Sequence, residues 1–319
     1  FWSDINPTIS AETYQLENVA NHELASIVYT SGTTGFSKGV MLSHNSLAVN
    51  VVYARDNISV RSGDCMVSFL PLAHCYGLAF DFLFPFAQGA HITFLNKIPS
   101  PKIIVKAFQE IKPRLIISVP LVLEKVYRKQ IKPMVDKGSV KTLMKMPILS
   151  GVVKKKIYNK LRDAFGGEFI EIIIGGAALN EEVESFFRKI GFEVTVGYGM
   201  TECGPLISYA SCDKIKAQSV GITINYLESK IHKPNRQTRI GEICVRGENV
   251  MEGYYKNDEA TAATLDSDGW LHTGDLGLKD RDGFLFIKGR SKSMILGPSG
   301  QNIYPEEIEA QLNYMPFVA

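Results

Sequence analysis

Short apolar runs alternate with amphipathic segments along the first two thirds of this chain. The runs Ser26–Thr30, Cys65–Leu70, His91–Leu95, Leu115–Val119, Ile170–Gly175 and Glu193–Gly197 have strand length and composition. Between them, Ser43–Arg55, Tyr76–Ala87, Pro101–Ile111, Pro120–Val135, Lys154–Ala164 and Asn180–Ile190 read as helices, with Ser43 placed to cap the first. Strands and helices alternating at this spacing predict βα units, that is, parallel sheets with helices on both faces.

The texture changes near Gly221. Short apolar runs punctuated by Gly and Asn follow (Gly221–Asn225, Gly241–Arg246, Gly283–Lys288), and Asp280–Gly283 has hairpin-turn chemistry. From Arg290 a third unit opens: Ser291–Leu296 reads as a strand, and Pro305 starts a helix whose first turn carries Glu306, Glu307 and Glu309, favourable for the helix dipole. The predicted class is α/β: parallel sheets flanked by helices over 1–220, a smaller antiparallel β subdomain over 221–289, and only the start of a C-terminal α+β subdomain over 290–319. A 319-residue chain that is 45% hydrophobic can bury more than one core. It begins at Phe1 rather than Met and stops in the apolar run Met315–Ala319, so both ends read as cut.

Charge and cysteine content exclude several classes. A net charge of +2 points to no polyanionic partner, and without aromatic interleaving no nucleic acid is expected. Cys65, Cys75, Cys203, Cys212 and Cys244 form no CxxC pair, so neither a zinc motif nor a disulfide framework is indicated, and a reducing cytoplasm is the expected compartment. No signal peptide is visible, and Asp81, Pro85 and Gln88 interrupt the apolar region Tyr76–Leu95 too often for a membrane span. Residues 125–162 hold twelve Lys/Arg against one acid, Asp136. A solvated helical face accounts for this; the alternative is peripheral attraction to an anionic membrane surface.

The candidate chemistry centres on Tyr29–Val40, a stretch of glycines and hydroxyls that closes on Lys38-Gly39-Val40. The apolar Ile27-Val28-Tyr29 before it reads as a short buried strand, and the stretch as a strand-to-helix turn. Its backbone N–H groups can converge on an anion while its hydroxyls and Lys38 add donors. It is not the common P-loop, since Lys38 is followed by Gly39, and the same composition also suits an ordinary flexible loop. Three further strings stand out. Gly175-Gly176-Ala177 follows a strand and leaves room for a flat ring. Gly197-Tyr198-Gly199-Met200-Thr201-Glu202 offers an aromatic face, then a hydroxyl, then a carboxylate able to hold a hard cation. Gly269–Asp275 reads as a strand ending in a turn, with a carboxylate that can accept two hydrogen bonds side by side. His74, in Pro71–Gly77, sits in an apolar context where a packed core histidine is the ordinary reading; His22, His91, His232 and His272 carry no usable pattern.

Taken together, these strings resemble the adenylate-forming enzymes: acyl-CoA synthetases, luciferases and non-ribosomal adenylation domains. The first string departs from the family pattern at Ser37, where proline is usual. The resemblance runs from about Leu24 to Leu312 and implies an acyl-CoA synthetase-like N-terminal domain. It implies that Thr30, Ser31, Gly32, Thr33, Thr34, Gly35 and Lys38 surround the phosphates of ATP. Gly175, Gly176 and Ala177 then lie against adenine, and Gly197, Tyr198, Gly199 and Met200 clasp it. Thr201 contacts the α-phosphate, Thr33 and Glu202 hold Mg²⁺, and Asp275, Ile287 and Arg290 serve the ribose side. Lys292 is the hinge, His74 lies near the substrate carboxylate, and Gly241–Gly247 and Gly253-Tyr254-Tyr255 are structural.

The implied function is ATP-dependent activation of a fatty acid, long-chain by the Pro120–Tyr127 helix with its basic insert and by the Gly297–Pro305 string. It passes through acyl-AMP to a thioester with coenzyme A. The family's catalytic lysine lies beyond Ala319, so inefficient turnover is expected of this chain alone. Two rivals stand: a ligase with a carrier-protein acceptor, and a non-catalytic nucleotide-binding member. Acyl chain length and oligomeric state are not legible.

Overall fold

Five strands lie side by side in one parallel sheet: β3 (Cys65–Ser68), β4 (His91–Phe94), β5 (Leu115–Ser118), β6 (Glu171–Ile174) and β7 (Val194–Val196), in the order β4-β3-β5-β6-β7. The computed structural model describes residues 18–30, 37–95, 100–138, 147–290, 295–296 and 302–303. All five strands are among those expected from the apolar runs.

Their residues alternate between two cores. Met66, Leu115, Ile117 and Ile173 face one side, while Val67, Ile116, Ile172 and Ile174 face the other. This is the period-2 alternation of a strand, here with both faces dry. On the second face the helices Pro101–Ile111, Pro120–Val126, Pro147–Ala164 and Glu181–Ile190 bring Phe108, Leu123, Leu161 and Phe187 into the core, joined by Phe165 and Phe169 from the segment that leads into β6. Asn180 caps the last of these by accepting from Glu182 N and Val183 N. The helical stretches Cys75–Ala87 and Pro120–Val135 each contain a wider π-type segment, at Leu78–Leu83 and Tyr127–Ile131.

The first face packs against smaller antiparallel sheets. β1 (Leu24–Thr30), β2 (Lys38–Ser43) and β13 (Gly253–Tyr254) form one of them. β8 (Tyr198–Gly199), β9 (Leu206–Tyr209) and β10 (Ile222–Thr223) form another. A third has the order β11 (Leu227–His232), β12 (Gly241–Gly247), β14 (Leu271–Lys279), β15 (Leu285–Arg290). A short pair, β16 (Ile295–Leu296) with β17 (Asn302–Ile303), follows.

Several expectations are corrected. The glycine-hydroxyl stretch is not a strand-to-helix turn: Thr30 and Lys38 are cross-strand partners, so it leaves one antiparallel strand and returns on its neighbour. The helix His44–Asn57 does follow, capped by Ser43 Oγ, but only after β2. β1 joins this antiparallel sheet and not the parallel one, and Tyr29 is 63% exposed while Val28 is buried. The Gly269–Asp275 strand does not end in a turn at Asp275 but continues to Lys279. Of the basic stretch 125–162, Lys132 pairs with Glu182 at 2.6 Å and Arg162 with Glu193 at 3.1 Å. Among the described residues, no helix is long and apolar enough to cross a membrane.

Candidate active site

The C-terminal ends of β5 and β6 and the residue after β7 open onto a cavity of about 380 Å³, lined there by Ile117, Val119, Ile173, Gly175, Gly176 and Gly197. Open parallel sheets bind ligands at this end, where the strands splay and backbone groups are left unpaired. Two parts of the lining differ in chemistry. One is the string Tyr198, Gly199, Met200 and Thr201; the other is apolar and aromatic, with Tyr53, Ile58, Phe80 and Tyr209.

Two glycines are required by close approach. A Cβ on Gly175 would stand 2.7 Å from the Tyr76 ring, and one on Gly199 would stand 2.2 Å from Pro205 O. Tyr76 is thereby wedged against the sheet, its Oη donating to Ile173 O at 3.0 Å and lying 3.3 Å from Ser118 O. Burial, reinforced by Asp81, pushes the Tyr76 phenol well above its ordinary value, so it is a hydrogen-bond donor and not an anion.

Tyr198 reaches from the cavity wall to the antiparallel sheet. Its Oη donates to Asp275 Oδ2 at 2.7 Å, and Arg290 Nε stands 3.2 Å from Asp275 Oδ1. Register places Asp275 opposite Arg290 on β14 and β15. Asp275 is buried, and burial raises its carboxyl pKa against the lowering effect of Tyr198 and Arg290. A carboxylate with one donor on each oxygen and little water is a directed acceptor.

Thr201 and Glu202 begin a single 3₁₀ turn, Thr201–Cys203. Glu202 is 9% exposed, and its Oε1 accepts from Tyr254 Oη at 2.7 Å. Among the described residues Oε2 has no hydrogen-bond donor, which leaves it available to a cation. Lys38 Nζ sits 4.6 Å from the centre of the Tyr254 ring. The return strand of the glycine-hydroxyl hairpin is therefore linked to Glu202 through one tyrosine. Tyr254 was expected to be structural only; nothing in its local sequence reveals a partner 52 residues away.

Of the remaining candidates, His74, though exposed, lines the cavity beside Cys75. Ala177 is exposed and outside the lining. Ile287 packs against the core beneath β15. Thr30 ends β1 at the mouth of the hairpin. Ser31, Gly32, Thr33, Thr34, Gly35 and Lys292 lie outside the described residues, as does the helix expected from Pro305.

Comparison with known proteins bears on the family and the fold. The sequence model of the family described as "AMP-binding enzyme" matches residues 3–255. The long-chain-fatty-acid–CoA ligase ACSBG2 of Rattus norvegicus is 34% identical over 95% of this chain and 49% of its own length. The 4-coumarate-CoA ligase 1 of Narcissus pseudonarcissus is 32% identical over 100% of this chain and 55% of its own. Among solved structures, o-succinylbenzoate coenzyme A synthetase (MenE) from Bacillus subtilis, in complex with ATP and magnesium ion, superposes with a TM-score of 0.76 at 27% identity. It covers 98% of this chain and 59% of that one. The chain spans about half the length of the curated relatives it matches.

Proposed function

The chain belongs to the AMP-binding enzyme family, and from that premise we propose that its cavity activates a hydrophobic carboxylic acid with ATP, through acyl-AMP, for transfer to coenzyme A. The observation that carries this reading is the chain Tyr198–Asp275–Arg290, anchored by Tyr198 in the wall of a cavity that is also lined by apolar and aromatic residues. The polar end suits a nucleoside and its α-phosphate, the apolar end an acyl or aryl tail.

In the proposed reaction a carboxylate oxygen attacks the α-phosphorus of ATP. The bond to the β-phosphate oxygen breaks, and pyrophosphate leaves with its electron pair. Thr201 donates to the α-phosphate oxygen where charge builds up, and Asp275 accepts from the ribose hydroxyls. Tyr198 supplies a ring face to the purine while its hydroxyl fixes Asp275. Glu202, oriented by Tyr254, offers the free oxygen that fits a Mg²⁺ ion, with Thr33 the proposed second contributor. That ion, when bound, offsets the repulsion between two anions. In the second step a thiol attacks the acyl carbon, its proton is lost, and AMP departs. Lys292 is the proposed hinge for the rearrangement between steps.

A fatty acyl tail is the first reading of the substrate. An aromatic acid is the second, favoured by the rings of Tyr53, Tyr76, Phe80 and Tyr209 in the cavity wall. Binding of acyl-sulfamoyl adenosines, stable mimics of acyl-AMP, tests the proposal without requiring turnover. Each buried methylene contributes about 0.8 kcal/mol, so affinity should rise about tenfold per pair of methylenes until the tail outruns the cavity. A series that binds no better than AMP at every length, aryl analogues included, would contradict it.

A further inference from the structure

A second constellation lies on the antiparallel sheet, outside the cavity lining. Glu242 and Cys244 are two apart on β12 and so share a face, and Cys244 is the cross-strand partner of His272 on β14. His272 Nδ1 is 2.8 Å from Glu242 Oε2 and 3.5 Å from Cys244 Sγ, and the three ligand atoms all lie within 4.8 Å of one another. We propose that Glu242, Cys244 and His272 form a binding site for a divalent transition metal of the zinc class.

Three features support this. First, the spacing is nearly that of a tetrahedron. Bonds of about 2.0–2.3 Å to nitrogen, oxygen and sulfur place neighbouring ligands about 3.3–3.7 Å apart, so the side chains need shift by less than about 1 Å. Second, the outer groups are already in position. Gly274 N donates to Glu242 Oε1 at 3.0 Å, leaving Oε2 for the metal, and Asp266 Oδ2 stands 3.6 Å from the far nitrogen of His272. A small closure to hydrogen-bond distance would let this carboxylate hold the ring with its proton on Nε2, the usual arrangement around a metal-ligating imidazole. Third, the site is open on one side. Cys244 is fully buried, but the side chains of His272 and Glu242 are 26% and 23% exposed, giving an entry path and room for a fourth, water ligand.

Without the ion, the contact between Glu242 and His272 is a hydrogen bond donated by Nδ1–H. Binding at Nδ1 moves the imidazole's one proton to Nε2, on the side facing Asp266, and releases the thiol proton to solvent. Mixed thiolate, imidazole and carboxylate donors favour zinc over magnesium or calcium. The site is independent of the nucleotide reading, but it ties β12 to β14 three residues before Asp275.

The test is titration of the metal-free chain with Co²⁺, followed by competition with Zn²⁺. One equivalent should bind with a thiolate-to-metal charge-transfer band that Zn²⁺ abolishes. Cys244→Ser should lose the band, His272→Asn should lose or strongly weaken binding, and Asp266→Asn should keep the band while weakening affinity by about 10–100-fold. Circular dichroism confirms that each variant is folded. A folded chain with no charge-transfer band would overturn the proposal and leave a plain hydrogen bond between Glu242 and His272. So would a band that survives Cys244→Ser.

Discussion

The hydroxyl of Tyr198, on the cavity wall, donates to Asp275 across 77 residues of sequence at 2.7 Å. That bond joins the sheet carrying Tyr198 to the sheet carrying Asp275, and on the proposed reading it fixes an acceptor for ribose beside a ring for the purine. Tyr198→Phe keeps the ring and removes the bond. A hydrogen bond to a charged group contributes about 1.5–3 kcal/mol, so ATP affinity should fall about 10–100-fold while stacking persists. Tyr198→Ala should cost more, because the ring goes too. Isothermal titration checks both; equal losses would show that only the ring matters.

Tyr254→Phe isolates the orientation of Glu202, whose Oε1 the phenol holds at 2.7 Å. The variant should need more Mg²⁺ to reach the same ATP affinity, while ATP binding without Mg²⁺ stays unchanged. Stability should drop by about 1.5–3 kcal/mol for one neutral-to-charged hydrogen bond. A Mg²⁺ titration at fixed ATP reads this out, and an unshifted midpoint argues against Glu202 as the cation's ligand.

Gly175→Ala sets a methyl 2.7 Å from the Tyr76 ring. The ring cannot retreat without giving up its bond to Ile173 O. Overpacking of this kind costs about 1–3 kcal/mol, and Tyr76→Ala should absorb most of that cost, so the two changes should be strongly non-additive in denaturant melts. Additive losses would place the strain elsewhere.

Asp81 supplies a pH prediction. It is 1% exposed, its Oδ2 accepts from Phe69 N and Leu70 N, and its Oδ1 has no partner among the described residues. Burial pushes its carboxyl up to about 7 against those two bonds. With the folded value above the unfolded one, the protonated acid favours the folded state. Its contribution is present below about pH 4 and lost as pH rises through 7. Asp81→Asn removes that loss, so its melting temperature should gain on the native chain from pH 4 to pH 8. The limit is on the order of 4 kcal/mol. A difference that stays flat with pH would contradict the assignment.

How much of this was legible in the sequence depends on range. The parallel strands declare themselves, because a strand buried on both faces is a short apolar run, as Leu115–Ser118 and Glu171–Ile174 show. Lys38–Ser43 was missed as a strand because its glycine and polar ends mask an apolar centre that only pairing with Leu24–Thr30 makes dry. Leu227–His232 was missed because it is half exposed and rich in polar residues. The strings around Thr201 and Asp275 could be read as chemistry, but the links from Tyr198 to Asp275 and from Tyr254 to Glu202 could not. Each joins side chains through the register of separate sheets. The Glu242, Cys244 and His272 cluster was hidden for the same reason, since only the pairing of β12 with β14 brings the histidine to the other two.

The most direct test of the nucleotide reading is a cycle between Asp275→Ala and 2′,3′-dideoxy-ATP, measured as dissociation constants with Mg²⁺. If Asp275 accepts from the ribose hydroxyls, the native chain should bind the dideoxy nucleotide about 10–100-fold more weakly than ATP, and Asp275→Ala should bind the two alike. Should Asp275→Ala still discriminate against the dideoxy nucleotide as strongly as the native chain does, the ribose does not sit against Asp275, and the proposed nucleotide site is wrong.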